Sequence, residues 1–142
     1  MHFHEAHINP VPEWARERLS SARVLLVGLG NIGSFLAMML APLVGFIRLV
    51  DRDVLEEHNS LNQFYAPHHE GQTKVDVTAD HIQQSAPLLE VERRVTAVER
   101  LPWEEFADVD LAFGCLDSLR ARQVMSEKLC SLQTAYVDGA VG

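Results

Sequence analysis

The chain alternates short apolar runs with longer stretches in which apolar residues recur at helical spacing. "RVLLVG" (23–28), "FIRLVD" (46–51) and "DLAFGC" (110–115) are short and strongly apolar, and each ends in a residue of a different kind. Runs of this type suit strands buried on both faces of a parallel sheet. "LEVERRV" (89–95) alternates only in part, and "TAYVDGAV" (134–141) reads as a final strand. Between the strands the period changes. "PEWARERLSSA" predicts a short helix with Pro12 near its first turn. "NIGSFLAMMLAPLV" (31–44) is apolar nearly all round, which predicts a buried helix. From Lys74 onward, Val75, Ala79, Ile82 and Ala86 fall on one stripe of a helix. "PWEEF" predicts one helical turn, and "SLRARQVMSEKLCSL" (118–132) a further helix. Residues 52–69 are polar and without clear period. They predict a long loop, and loops of that length in compact domains usually carry function or are disordered.

The alternation of strand and helix predicts an α/β fold: a Rossmann-like, doubly wound, mainly parallel sheet with helices on both faces. Ligands in such sheets bind outside the carboxyl ends of the strands. The expected ends are Gly28, Asp51, Cys115 and the segment after Val141.

Size and charge narrow the class. At 142 residues the chain suits one core. The expected division is an arm at 1–11 and a nucleotide-binding domain at 12–142. Twelve Lys and Arg against 20 Asp and Glu give a net charge of −8. That argues against nucleic acid or an anionic membrane as partner through a basic face. The polar N-terminus lacks a signal-peptide core, and no apolar stretch reaches membrane-spanning length. Cys115 and Cys130 form no CxxC pair, so no zinc site is expected, and a cytoplasmic location is the simplest. Both cysteines are expected to be buried packing residues.

Gly28, Gly30 and Gly33 spell GxGxxG between a strand and a helix. The first glycine permits the tight turn, the second lets a phosphate approach, and the third lets helix and strand pack closely. The helix N-terminus then offers free N–H groups to an anion. Asp51 lies about 20 residues on, where a carboxylate can take ribose hydroxyls. These features fit NAD as well as ATP. The loop that follows adds Asp53, Asn59, Asn62, Gln63 and Lys74, groups suited to a sugar, a base and a polyphosphate. Asp117, after a buried strand, can hold Mg2+ bridging phosphate oxygens, or it can simply cap the next helix.

"GLGNIGS", "VDRDVLEEHNSLNQ", "GQTKVDV", "CLDSLRAR" and "YVDGAVG", in this order, resemble the ThiF/MoeB/HesA adenylyltransferases and the adenylation domains of ubiquitin-activating enzymes. The resemblance covers about residues 12 to 142. It implies Mg-ATP-dependent adenylation of the C-terminal glycine carboxylate of a ubiquitin-like or sulfur-carrier protein. It places Gly28, Gly30 and Gly33 against the nucleotide and Asp51 and Asp53 around the ribose. Asn59, Gln63 and Lys74 would meet the phosphates or the base side, and Asp117 would hold Mg2+. It also implies a symmetric homodimer in which an N-terminal arginine, Arg16 or Arg18, enters the partner's site.

Two departures qualify this. Asn62 stands where the family pattern has arginine, and an amide cannot neutralise phosphate. The family domain also continues beyond the strand that ends this chain, so an N-terminal part of a longer adenylation domain is expected. An inactive nucleotide-binding relative or partner subunit, and a nicotinamide-dependent oxidoreductase domain, are the competing readings. The histidines of "HFHEAH" and the pair His68 and His69 are weak metal candidates.

Overall fold

The computed structural model describes residues 11–56, 65–66 and 69–139. The N-terminal arm with "HFHEAH", the loop residues Asn59, Asn62 and Gln63, and His68 lie outside the described residues.

The elements follow the sequence pattern closely. They run α1 (Glu13–Ser20), β1 (Arg23–Val27), α2 (Asn31–Leu40), β2 (Phe46–Val50), α3 (Lys74–Ser85) and β3 (Glu90–Arg94). A 3-10 turn (Val98–Arg100), the one-turn helix α4 (Glu104–Ala107), β4 (Leu111–Gly114), α5 (Leu119–Leu132) and β5 (Ala135–Asp138) follow among the described residues. The five strands pair in the order β3-β2-β1-β4-β5. Every pairing is parallel.

Successive side chains of a strand point to opposite faces. In β1 both sets are buried. Val24 and Leu26 join Ile47 and Leu49 in a core closed by Ala37 of α2 and by Val75, Ala79 and Ile82 of α3. Leu25 and Val27 join Phe46 and Val50 in a second core closed by Phe106, Met125 and Leu129. The two cores explain why the central strands carry no polar alternation: neither face meets water.

Two burial expectations are corrected. Segment 31–44 is helical only over Asn31–Leu40, and it is not buried all round. Ala37 packs inward, whereas Ile32 is 45% exposed, Phe35 44% and Met39 55%. A helix lying on a sheet has one face for the sheet, and nothing among the described residues covers the other. Cys130 is exposed rather than packed, and Cys115 is half-buried. Cys130 occupies the solvent side of α5, whose inward positions are Ala121, Met125 and Leu129.

Arg48 is a charged residue at the centre of a fully buried strand, only 3% exposed. Its guanidinium donates to Asp108 through both terminal nitrogens, at 2.6 and 2.8 Å, and to Glu92 at 2.9 Å. It also donates to the Glu105 backbone carbonyl at 2.8 Å. Arg94 extends this network with two bonds to the Glu105 carboxylate. Buried charge is tolerated only when paired and hydrogen-bonded in this way. The network fastens the β3–β4 crossover to the sheet.

Candidate nucleotide site

The chain leaves β1 toward β2 and β3, then returns across the sheet to β4. The strand order therefore reverses between β1 and β4, the topological switch point where α/β sheets bind ligands. Ladder hydrogen bonds continue past the strand ends: Gly28 N–H to Val50, Asp51 N–H to Arg94, Cys115 N–H to Val27 and Gly139 N–H to Gly114. All the loops thus leave at one edge. There a cavity of about 440 Å³ opens, lined by residues that follow each of the five strands. That size suits a small-molecule ligand.

The glycine loop is built as its spacing predicts. Gly28 has φ +95°, a left-handed conformation that favours glycine, and a Cβ there would strike the Cys115 carbonyl oxygen. A Cβ on Gly33 would strike the Gly28 carbonyl oxygen. Gly30 differs: a Cβ would meet nothing within 4 Å, and the residue faces the cavity. The first and third glycines serve backbone packing, and the second leaves room for a ligand. No side chain caps the N-terminus of α2, and Gly30, Asn31 and Ile32 line the cavity. An uncapped helix start is a ready anion site.

Asp51, for which a ribose role is expected, anchors the glycine loop. One carboxylate oxygen accepts from Leu29 N–H at 2.7 Å and the other from Asp53 N–H at 2.8 Å. Burial pushes its carboxyl above the usual carboxylate range, against the opposing effect of these two backbone donors. Tyr65 holds the same residue through its other backbone group, donating to the Leu29 carbonyl at 2.7 Å. Burial pushes the Tyr65 phenol up to about 12, so it stays protonated as a donor. The glycine loop is held at Leu29 by both its N–H and its C=O.

Lys74 opens α3 and lines the cavity with a side chain only 12% exposed. Its ammonium lies 3.4 Å from Asp53, and its backbone N–H donates to the Asp53 carbonyl. The described ends of the long loop therefore meet, helped by the Val54–Thr73 bridge and a small core of Leu55, Tyr65 and Val77. Asp117 lies at the cavity, exposed, one residue before the cap of α5. Ser118 is that cap, its hydroxyl accepting from Ala121 N–H at 3.3 Å. Asp117 is thus not needed for capping. Among the described residues, no group of three His, Cys, Asp or Glu side chains forms a metal cage. A lone carboxylate still fits Mg2+, which takes one or two carboxylates together with substrate phosphates.

The structure brings Gly28, Gly30, Asp51, Asp53, Lys74 and Asp117 to one cavity. It does not bring Arg16 and Arg18 there. Both sit exposed on α1, a helix with no buried residue. The sequence reading missed Thr96, Ala97, Val98 and Glu99, which line the cavity after β3. The rule that ligands meet strand ends applies to β3 as to the others, and its partly alternating pattern hid it. It also missed Tyr65, an aromatic in an otherwise polar loop. β5 ends at Asp138, and Gly139 directly after it meets the cavity; the segment after Val141, expected there, lies outside the described residues.

Comparison with known proteins agrees with this architecture. Ubiquitin-like modifier-activating enzyme 5 of Bombyx mori is 28% identical over 140 residues, covering 88% of this chain and 35% of the relative. Adenylyltransferase and sulfurtransferase uba4 of Aspergillus niger is 33% identical over 114 residues, covering 78% of this chain and 23% of the relative. The chain thus spans about a third or less of the curated relatives it matches. Among solved structures, the tRNA N6-threonylcarbamoyladenosine dehydratase TcdA of E. coli, in complex with ATP, superposes with a TM-score of 0.79 at 23% identity. It covers 89% of this chain and 54% of that one. E. coli MccB superposes with a TM-score of 0.78 at 18% identity, covering 89% and 36%. These two likenesses concern the fold. The ThiF family model matches residues 4–142, and the chain belongs to the ThiF family.

Proposed function

We propose that this chain is the nucleotide-binding part of an adenylyltransferase that activates the C-terminal carboxylate of a ubiquitin-like or sulfur-carrier protein with ATP. The observation that carries this is one cavity joining an open Gly30, an uncapped helix start, Lys74 and Asp117. The named activities of the sequence relatives support it.

In the reaction a carboxylate oxygen of the carrier attacks the α-phosphorus of ATP. The bond from that phosphorus to its bridging oxygen breaks, pyrophosphate leaves, and an acyl-adenylate forms. No proton need move. The protein's task is positioning and neutralisation of charge. The glycine loop and the start of α2 seat the phosphates, Asp51 accepts from the ribose, and Lys74 offers a cation. Asp117 would hold Mg2+, which would take up charge on the phosphate oxygens. Asn59, Asn62 and Gln63 belong to the same proposed nucleotide set.

Calorimetric titration with ATP and with NAD, Mg2+ present, tests the reading. ATP is expected to bind more tightly, and equal or tighter NAD binding would remove adenylation in favour of a dinucleotide. Asp117→Asn is expected to abolish most of the magnesium dependence of ATP affinity with the fold intact. A second reading, a nucleotide-binding partner subunit without activity of its own, is favoured by Asn62 standing in place of arginine. A homodimer in which Arg16 or Arg18 of one copy completes the other copy's site is the arrangement that would restore the missing cation.

A further inference from the structure

We propose that Arg52 is a base-binding residue, its guanidinium lying flat over the purine of the bound nucleotide. This rests on the adenine-nucleotide reading above and goes beyond it by assigning the base end of the cavity. The strand order sets the ligand's direction. Phosphates belong at the glycine loop after β1, beside Asp117 after β4. The ribose belongs at Asp51 after β2. The remaining direction leads to β3, the next strand beyond β2. Adjacent strands are about 4.8 Å apart, so the β3 wall lies about 10 Å across the sheet from the glycine loop. A nucleoside covers that span.

The β3 wall is suited to a base and unsuited to phosphate. Ala97 and buried Val98 offer apolar surface, and Glu99 places an anion at the rim. Arg52 stands one residue past Asp51 and lines the same cavity. Its side chain is 74% exposed, and its ion pair with Asp53 is long, 3.8 Å from Nε. The guanidinium plane is therefore loosely held and free to settle on a ligand. Lys74, by contrast, is nearly enclosed and lies closer to Asp53. Of these two cavity cations, the enclosed ammonium is a point charge for phosphate. The exposed guanidinium is planar, stacks on aromatic faces and is weakly hydrated.

The experiment titrates the wild-type chain and the variants Arg52→Ala, Arg52→Phe and Arg52→Lys with adenosine, AMP and ATP. Thermal unfolding of each variant confirms an intact fold. Arg52→Ala is expected to weaken all three ligands by the same factor, about three- to thirtyfold. Arg52→Phe, which keeps a flat face without charge, is expected to recover most of the loss, and Arg52→Lys is not. A loss that grows from adenosine to ATP and is rescued by Lys would overturn the proposal and make Arg52 a phosphate cation. Unchanged binding in Arg52→Ala would overturn it and leave the adenine-nucleotide reading standing. Failure of the wild type to bind any of the three would remove both.

Discussion

Within one glycine motif, the three residues differ in what a methyl group would do. On Gly33 it would be driven into the Gly28 carbonyl, where α2 crosses the loop, and backbone cannot yield there as a flexible side chain would. Gly33→Ala is expected to destabilise the fold by about 1–3 kcal/mol or more, the range for overpacking, read as a lowered denaturant midpoint. On Gly30 the methyl would enter open cavity. Gly30→Ala is therefore expected to keep the wild-type midpoint while lowering ATP affinity. If both variants lost stability equally, the division between packing glycines and a ligand-facing glycine would be wrong. Tyr65 tests the clamp on the same loop. Tyr65→Phe removes the donor to the Leu29 carbonyl and keeps the ring. The expected cost is about 1–2 kcal/mol, as for a carbonyl left unsatisfied in a buried site, measured by equilibrium unfolding.

At the scale of elements, α2 and α5 contrast in how they begin and what they cover. Ser118 caps α5, so Ser118→Ala is expected to cost about 1 kcal/mol without altering the magnesium dependence assigned to Asp117. Helix α2 has no side-chain cap and an outward apolar face of Ile32, Phe35 and Met39. Exposed apolar patches larger than a few hundred Å² mark interaction sites, and we propose this face as the contact of the homodimer. Phe35→Glu with Met39→Glu is then expected to shift sedimentation toward the monomer while leaving thermal unfolding of the monomer nearly unchanged. A chain that is monomeric before substitution would remove α2 as the dimer contact. The helical spacing of 31–40 was legible in sequence, but which of its apolar residues faced water was not. Its composition is apolar on every side, and only the position of the sheet singles out Ala37.

For the whole molecule, the Arg48 network ties stability to pH. Hydrogen bonding from Arg48 foremost, against partial burial, holds the Asp108 carboxyl below the usual carboxylate range. Hydrogen bonding from Arg93 does the same for Asp76. A folded-state pKa below the unfolded one, about 3.9 for aspartate, contributes stability that is complete above that value. The contribution is lost as pH falls through the depressed value. Urea midpoints are therefore expected to be insensitive to these groups at neutral pH and to fall below about pH 4. Asp108→Asn is expected to start lower at neutral pH and to show a shallower acid decline. An acid decline identical to wild type would mean that Asp108 does not carry this dependence. The proposed assembly has its own test. An Arg16→Ala/Arg18→Ala protein and an Asp117→Ala protein, each inactive, are expected to recover adenylation activity on mixing, because a mixed dimer holds one intact site. No recovery despite subunit exchange would exclude an arginine supplied in trans.

By itself the sequence determined the order of elements, the parallel class of the sheet and the glycine loop. These depend on local period and on the steric demands of single residues, which short stretches carry in full. It also pointed to Asp51, Asp53, Lys74 and Asp117 as one group, which the structure gathers at one cavity, since each follows a strand end or opens a helix. The tertiary structure decided what depends on groups far apart in the chain. Arg48 sits in a strand that reads as apolar, and its burial is tolerable only because Glu92, Glu105 and Asp108 reach it from other segments. The wall after β3 belongs to the cavity because β3 pairs with β2, a neighbourhood no local pattern records. Cys130 and the outer face of α2 meet water for the same reason: hydrophobicity tells which residues favour burial, and only the packed sheet determines how much covering surface there is.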